Sequence, residues 1–176
     1  MRIQVLMLHQ DDPKKNTAAK LVKFGLAKSV RKTFKKTMVL NPFAEKFVLH
    51  SDKKLVNSIT GIDCSWNLAN KTFTKKFQGV QRKLPPLLAG NPMNYASTYN
   101  YAKKAIYSKL NKLTTAEAIA GAVYVMGFED LALDLLNKFK WGHTFFDLNK
   151  DLLEDYSKTN SQEEVISIAK DYQILV

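Results

Sequence analysis

Cysteine is nearly absent: the 176-residue chain has one, Cys64. That excludes an intrachain disulfide framework and any metal site built from several thiolates, and it fits a reducing, cytoplasmic compartment. Histidine is almost as scarce. His9, His50 and His143 lie far apart, no HExxH pattern is present, and no metal site is expected. His9 reads as a strand-end residue, His50 as loop surface and His143 as a capping or surface residue. The 7 glycines never form GxGxxG or GxxxxGK[ST], so a phosphate-cradling loop is not supported. No serine occupies a nucleophile elbow. Apolar runs such as Ile3–Leu8 and Ala118–Met126 fall short of the roughly 20 residues a bilayer requires. The first run gives way to His9-Gln10-Asp11-Asp12, so no signal peptide is expected either. An enzyme so poor in nucleophiles and metal ligands would bind a reactive cofactor and position it.

Acidic residues are scarce over most of the chain. Residues 1–112 carry 22 Lys and Arg against 5 Asp and Glu (+17), and residues 113–176 carry 5 against 11 (−6), for a net +11. A folded half this basic suits a polyanion, most often nucleic acid, although a solubilising charge excess reads the same in composition. With 45% hydrophobic and 11% aromatic residues, the chain can bury a real core, and wholesale disorder is excluded.

Strands are expected at Arg2–Leu8, Thr37–Leu40, Ile59–Cys64 and Leu84–Ala89, the last at an edge because of Pro85-Pro86. Helices are expected at Thr17–Ala27, Ser51–Ser58 and Asn67–Phe77. Beyond Asn91-Pro92 a loop rich in Asn, Tyr, Ser and Lys leads into helices at Thr115–Met126, Glu129–Phe139, His143–Tyr156 and Gln162–Ile174. The capping boxes Thr114-x-x-Glu117 and Ser161-x-x-Glu164 mark two of their starts. The expected organisation is a basic α/β domain over 1–90, a long loop over 91–112, and a helical domain over 113–176.

Segments at strand carboxyl ends or helix starts are where α/β folds collect ligands. They are Asp12-Pro13-Lys14-Lys15-Asn16-Thr17, Leu40-Asn41-Pro42, Ile62-Asp63-Cys64-Ser65-Trp66, and Leu84 through Tyr95. Trp66, Leu84 and Pro42 converging there can enclose a flat heterocycle, whereas Trp66 can equally be a core aromatic. Thr17 and Thr114-Thr115 each open a helix; facing each other, they can clamp one carboxylate, and apart they are ordinary caps. Lys28, Arg31, Lys32, Lys35, Lys36, Lys75, Lys76, Arg82, Lys83, Lys103 and Lys104 alternate with Phe34, Phe73, Phe77, Tyr95, Tyr99 and Tyr101, as a surface stacking on looped RNA does.

At these residues the sequence resembles the small-subunit (16S/18S) rRNA aminocarboxypropyltransferase family of archaea and eukaryotes. The matching segments run in order: Asp12-Pro13-Lys14-Lys15-Asn16-Thr17, Asp63-Cys64-Ser65-Trp66, Arg82-Lys83-Leu84-Pro85, Asn91-Pro92-Met93-Asn94-Tyr95, and Leu113-Thr114-Thr115-Ala116-Glu117-Ala118. They continue with Lys138-Phe139-Lys140-Trp141-Gly142-His143, Leu148-Asn149, Leu152-Leu153-Glu154 and Tyr156. The resemblance implies an α/β, SPOUT-like N-terminal half with a trefoil knot and an all-helical C-terminal half. It implies a monomer, without membrane attachment, that acts on small-subunit rRNA or a pre-ribosomal particle. Its members move the 3-amino-3-carboxypropyl group of S-adenosyl-L-methionine to N3 of a (N1-methyl)pseudouridine and release methylthioadenosine.

By the same resemblance, the Leu84 N–H would read adenine, and Leu40, Pro42, Trp66 and Ala118 would wall it. The Ile62 carbonyl would meet the ribose, Thr17 and Thr115 the arm's carboxylate, and Trp66 with Ala69 the methyl. Asp63 would stand beside the arm. The carbonyl facing the adenine amino group falls on Asn111 by spacing, or on Tyr107 by residue type. The chain departs from the family pattern with Asn16 for Cys, Gly90 for Ala, Ala96 for Gly, and about a dozen extra residues after it. Lys103, Lys104 and Lys109 of that insertion would extend the RNA surface or form a solvated loop. Two other functions fit the same residues: an S-adenosylmethionine-dependent RNA methyltransferase, and a non-catalytic RNA-binding assembly factor.

Overall fold

In the computed structural model, residues 1–10, 16–92 and 112–174 are described. Asp12 to Lys15, Met93 to Tyr95, Ala96, Tyr99, Tyr101, Lys103, Lys104, Tyr107, Lys109 and Asn111 lie outside them. The elements in chain order are β1 (Arg2–Met7), α1 (Thr17–Lys23), β2 (Lys28–Ser29), β3 (Thr37–Leu40), β4 (Ser58–Asp63), α2 (Ala69–Phe73), β5 (Val80–Arg82), α3 (Thr115–Val125), α4 (Glu129–Asn137), α5 (Gly142–Tyr156) and α6 (Gln162–Asp171). The 3-10 turns His50–Lys54 and Trp66–Leu68 precede β4 and α2, respectively.

The strands form one five-stranded sheet in the order β2-β1-β4-β3-β5. Every pairing is parallel, with Met7 opposite Asp63, Leu40 opposite Gly61, and Leu40 opposite Arg82. All carboxyl ends therefore lie on one edge of the sheet. Alternation sends Ile3, Val5, Met38 and Ile59 to one face and Leu6, Val39 and Ile62 to the other. The first face joins a cluster that continues through α3 to Val165, Ala169 and Ile174, so one core runs through both halves. Across the second face, Leu6, Val39 and Ile62 meet Val30, Phe73 and Phe77.

Helix α3 explains this continuity. Its buried residues include Ala116, Ala120, Gly121 and Ala122 as well as Ile119, Val123 and Val125, so it is apolar nearly all round and packs on every side. It crosses the sheet at Gly61. A Cβ there would stand 2.8 Å from Thr115 Cγ2 and 2.9 Å from Ile119 Cδ1, closer than packed atoms come.

The structure departs from the sequence expectations at three places. Leu84–Ala89 is not a strand of the sheet; the fifth strand is Val80–Arg82, just before it. Pro85 and Pro86 have no N–H for a ladder. Leu88 is instead held from the side: its N–H donates to Asn149 Oδ1 (2.7 Å), and its carbonyl accepts from Asn149 Nδ2 (2.8 Å). Residues 28–29, where no element was expected, add the short edge strand β2. The helix at Thr17 ends at Lys23 instead of Ala27, where Gly25 takes a left-handed φ of 73°.

Gly61→Ala should destabilise the protein by about 1–3 kcal/mol, because the added methyl must push α3 off β4. Urea unfolding of the variant beside the wild type measures this.

Candidate active site

Three elements meet at the carboxyl edge: the end of β4, the start of α1 and the start of α3. Asp63, the last residue of β4, is 6% exposed. Its Oδ2 accepts from Asn16 Nδ2 at 2.6 Å, and its Oδ1 from Thr115 Oγ1 at 3.2 Å. Asn16, not Thr17, is the cap of α1, its Oδ1 accepting from the Ala19 N–H at 2.7 Å. Thr17 is the first helical residue, and its hydroxyl accepts from the Ala116 N–H at 3.3 Å. The two helix starts thus face each other, and Thr17, Thr115 and Asp63 come together.

The first N–H groups of a helix have no partner within it. Those of Thr17, Ala18 and Thr115 have none among the described residues either. Such a cluster of donors suits a carboxylate.

A second group of sites surrounds this one. Leu40 ends β3, and Pro42 follows it, exposed. Continuing the β3–β4 register past Leu40 brings Pro42 towards Ile62, but proline has no N–H, so the Ile62 carbonyl gains no ladder donor there. The Leu84 N–H has no hydrogen-bond partner among the described residues. Trp66 is 47% exposed and so is not a core aromatic. Ala69, 4% exposed, begins α2, and Ala118 lies partly exposed on the second turn's approach of α3. Asn111 lies outside the described residues.

Several supporting groups escaped sequence reasoning. Glu117 was legible as the third helical residue of a capping box, and that box is present: its Oε2 accepts from the Thr114 N–H (2.7 Å) and hydroxyl (2.8 Å). Its Oε1 also accepts from the N–H groups of Gly90 (2.7 Å) and Asn91 (3.0 Å), a tertiary role without a sequence signal. Burial raises its carboxyl above the ordinary value, and the bonds from Thr114, Asn91 and Gly90 pull it back only in part. At Gly90, where the family pattern has Ala, a Cβ would stand 2.5 Å from the Phe145 backbone nitrogen, so the start of α5 packs directly on the chain. The Ser161 box is half formed: Ser161 Oγ accepts from the Glu164 N–H, while Glu164 bonds Asn160 instead of Ser161.

The basic set divides. Arg31, Lys32, Lys35, Lys36, Lys75 and Lys76 are exposed, together with Phe34 and Phe43. Arg82 does not belong with them. Its Nε and Nη2 donate to both oxygens of the buried Asp52, each at 2.9 Å. Lys83 lies over the Phe47 ring, 4.4 Å from its centroid. Phe73 and Phe77 cover the second sheet face and are core at least in part. His50, expected on a loop surface, lies in a 3-10 turn with Lys53 Nζ 2.6 Å from its Nε2. His143 is exposed, as expected. No group of His, Cys, Asp and Glu among the described residues is arranged to hold a metal.

A parallel sheet whose carboxyl edge is closed by two helix starts defines an α/β protein of the class that collects ligands at that edge. Comparison with known proteins gives the particular kind. A family model described as "Ribosome biogenesis protein, C-terminal" matches residues 38–173. The chain is 36% identical over 173 residues to the 16S rRNA aminocarboxypropyltransferase of Sulfurisphaera tokodaii, a match covering 97% of this chain and 95% of that one. It is 37% identical over 180 residues to the protein of the same name from Methanobrevibacter smithii, covering 98% and 97% of the two chains. A solved structure, the SAM-dependent rRNA:acp-transferase Tsr3 from Vulcanisaeta distributa, matches with a TM-score of 0.81 at 34% identity, over 96% of this chain and 87% of that chain. The chain belongs to the 16S rRNA aminocarboxypropyltransferase family.

Glu117→Ala should cost about 3 kcal/mol or more, since it strands the buried N–H groups of Gly90, Asn91 and Thr114. A carboxyl raised by folding adds most stability below its ordinary value and loses that part as pH climbs through the raised one. The advantage of wild type over Glu117→Gln should therefore narrow with rising pH, measured by denaturant titrations across the acidic range.

Proposed function

We propose that this chain transfers the 3-amino-3-carboxypropyl group of S-adenosylmethionine to N3 of a (N1-methyl)pseudouridine in small-subunit rRNA, releasing methylthioadenosine during ribosome biogenesis. The observation that carries the reading is the meeting of Thr17, Thr115 and Asp63 with the unpaired N–H groups of Thr17, Ala18 and Thr115, in a member of this family. The residues fit the donor. The N–H groups of Thr17, Ala18 and Thr115 and the Thr17 hydroxyl take the arm's carboxylate. The unpaired Leu84 N–H takes an adenine acceptor, and the Ile62 carbonyl, which Pro42 leaves without a ladder donor, takes the ribose hydroxyls. Leu40, Pro42, Trp66 and Ala118 wall the base.

The donor supplies a sulfonium with three electrophilic carbons, and the one aligned with the nucleophile reacts. Trp66 and Ala69 bury the methyl, while the facing helix starts hold the arm so that its terminal carbon faces the RNA. The N3–carbon bond forms as the carbon–sulfur bond breaks; the bonding pair stays on sulfur, and the N3 proton leaves. Asp63 is the carboxylate beside the arm and the candidate acceptor of that proton. Arg31, Lys32, Lys35, Lys36, Lys71, Lys75 and Lys76, with Phe34 and Phe43, form the exposed surface on which an RNA loop docks. In this reading 1–90 is the RNA-facing domain, Asn111 supplies the carbonyl for the adenine amino group, and 113–176 closes the cofactor site. The protein acts as a cytoplasmic monomer with the family's knotted, SPOUT-like topology.

Incubation with S-adenosylmethionine and small-subunit rRNA or pre-ribosomal particles, followed by mass spectrometry, should detect methylthioadenosine. S-Adenosylhomocysteine would indicate a methyltransferase, and unchanged donor with salt-dependent RNA binding an assembly factor. Ala69→Trp should abolish donor binding by calorimetry, because the indole fills the space assigned to the methyl; unchanged affinity would remove Ala69 from the pocket.

A further inference from the structure

Asp63 is held on both carboxylate oxygens, and one of the groups that hold it belongs to Asn16, the cap of α1. Asn16 is 8% exposed and uses both ends of its amide. Its Oδ1 caps α1 through the Ala19 N–H at 2.7 Å, and its Nδ2 donates to Asp63 Oδ2 at 2.6 Å. The other carboxylate oxygen takes the Thr115 hydroxyl at 3.2 Å. The chain from the Ala19 N–H through Asn16 and Asp63 to Thr115 therefore ties α1, β4 and α3. A separate bond from the Ala116 N–H to Thr17 Oγ1 runs beside it at 3.3 Å.

Chemistry makes the Asn16 amide specific for this task. Only a side chain with an acceptor and a donor on one rigid group can cap a helix and hold a carboxylate together. Ser and Asp cap equally well, but Ser is too short to reach on to Asp63, and Asp would oppose its charge. The Cys of the family pattern offers only a weak donor, so the bridge distinguishes this chain within the resemblance.

We propose that Asn16 is a positioning residue: it orients the Asp63 carboxylate towards Thr115 and thereby sets the separation of the two helix starts, whose N–H groups, with the Thr17 hydroxyl, grip the arm of the donor. The inference rests on the reading of this site as an S-adenosylmethionine pocket. It places the effect of Asn16 on the arm and not on the adenosine, which is bound by the Leu40, Ile62 and Leu84 segments across the sheet edge.

Two ligands separate those contributions. S-Adenosylmethionine carries the aminocarboxypropyl arm; methylthioadenosine has the same base, ribose and thioether without it. Asn16→Ser retains a capping oxygen and loses the bridge; Asn16→Asp retains the cap and places a second carboxylate against Asp63. Binding of both ligands is measured by calorimetry for the wild type and both variants, with melting temperatures alongside. The expected result is about tenfold weaker binding of S-adenosylmethionine to Asn16→Ser, and weaker still to Asn16→Asp, with methylthioadenosine affinity unchanged. Equal losses for both ligands would make Asn16 merely structural and overturn the proposal, as would unaltered affinity for both. A wild-type protein binding neither ligand would instead overturn the cofactor reading itself, and this proposal with it.

Discussion

The carboxylate of Glu117 is the constraint around which the site is arranged. Fully buried, it accepts four hydrogen bonds, two from Thr114 and one each from Gly90 and Asn91. A buried charge persists only when its lone pairs are met, so the segment after β5 and the start of α3 are obliged to stay together. That fixes where Thr115 and Ala116 emerge, and with them the contacts to Asp63 and Thr17. The close approach of α3 to Gly61 completes the same placement from the sheet side.

Around this framework, recognition is a matter of which backbone groups are left over. Pro42 ends the β3 ladder without a donor for Ile62, the Leu84 N–H follows β5 with no partner among the described residues, and the starts of α1 and α3 leave the N–H groups of Thr17, Ala18 and Thr115 with none there either. Each is an ordinary consequence of ending an element, and a parallel sheet gathers all such endings on one edge. Among the described residues this edge holds no metal-binding cluster, and Asp63 is the carboxylate set between the helix starts.

The charge asymmetry separates into two physical roles. Arg82 is consumed by buried Asp52, whose Oδ2 also accepts from the Leu49 N–H, so this pair anchors the segment before β4 to the edge strand. Lys83 spends its charge on the Phe47 ring. The exposed lysines and arginine between β2 and β3 and around α2 keep theirs for solvent or a polyanion. Those two segments share the second sheet face, since Val30, Phe73 and Phe77 pack on the same three residues, Leu6, Val39 and Ile62.

Much of this was legible in the residues. Alternating β-formers marked β1, β3 and β4, capping residues marked the starts of α3 and α6, and ordered short segments carried the family. Local rules failed where a distant partner decides. Pro85-Pro86 in an apolar run read as an edge strand, but Asn149, sixty-one positions away, takes the backbone pairing of Leu88. Arg82 read as a phosphate contact until Asp52 claimed it, and Thr17 read as a cap although Asn16 does the capping. The sequence by itself determined β1, β3, β4 and the C-terminal helices, the charge division and the family, because periodicity, capping and ordered motifs act over a few residues. Only the tertiary structure decided which side chains are spent on one another and which backbone groups remain for a ligand, because hydrogen-bond partners are assigned by proximity in space.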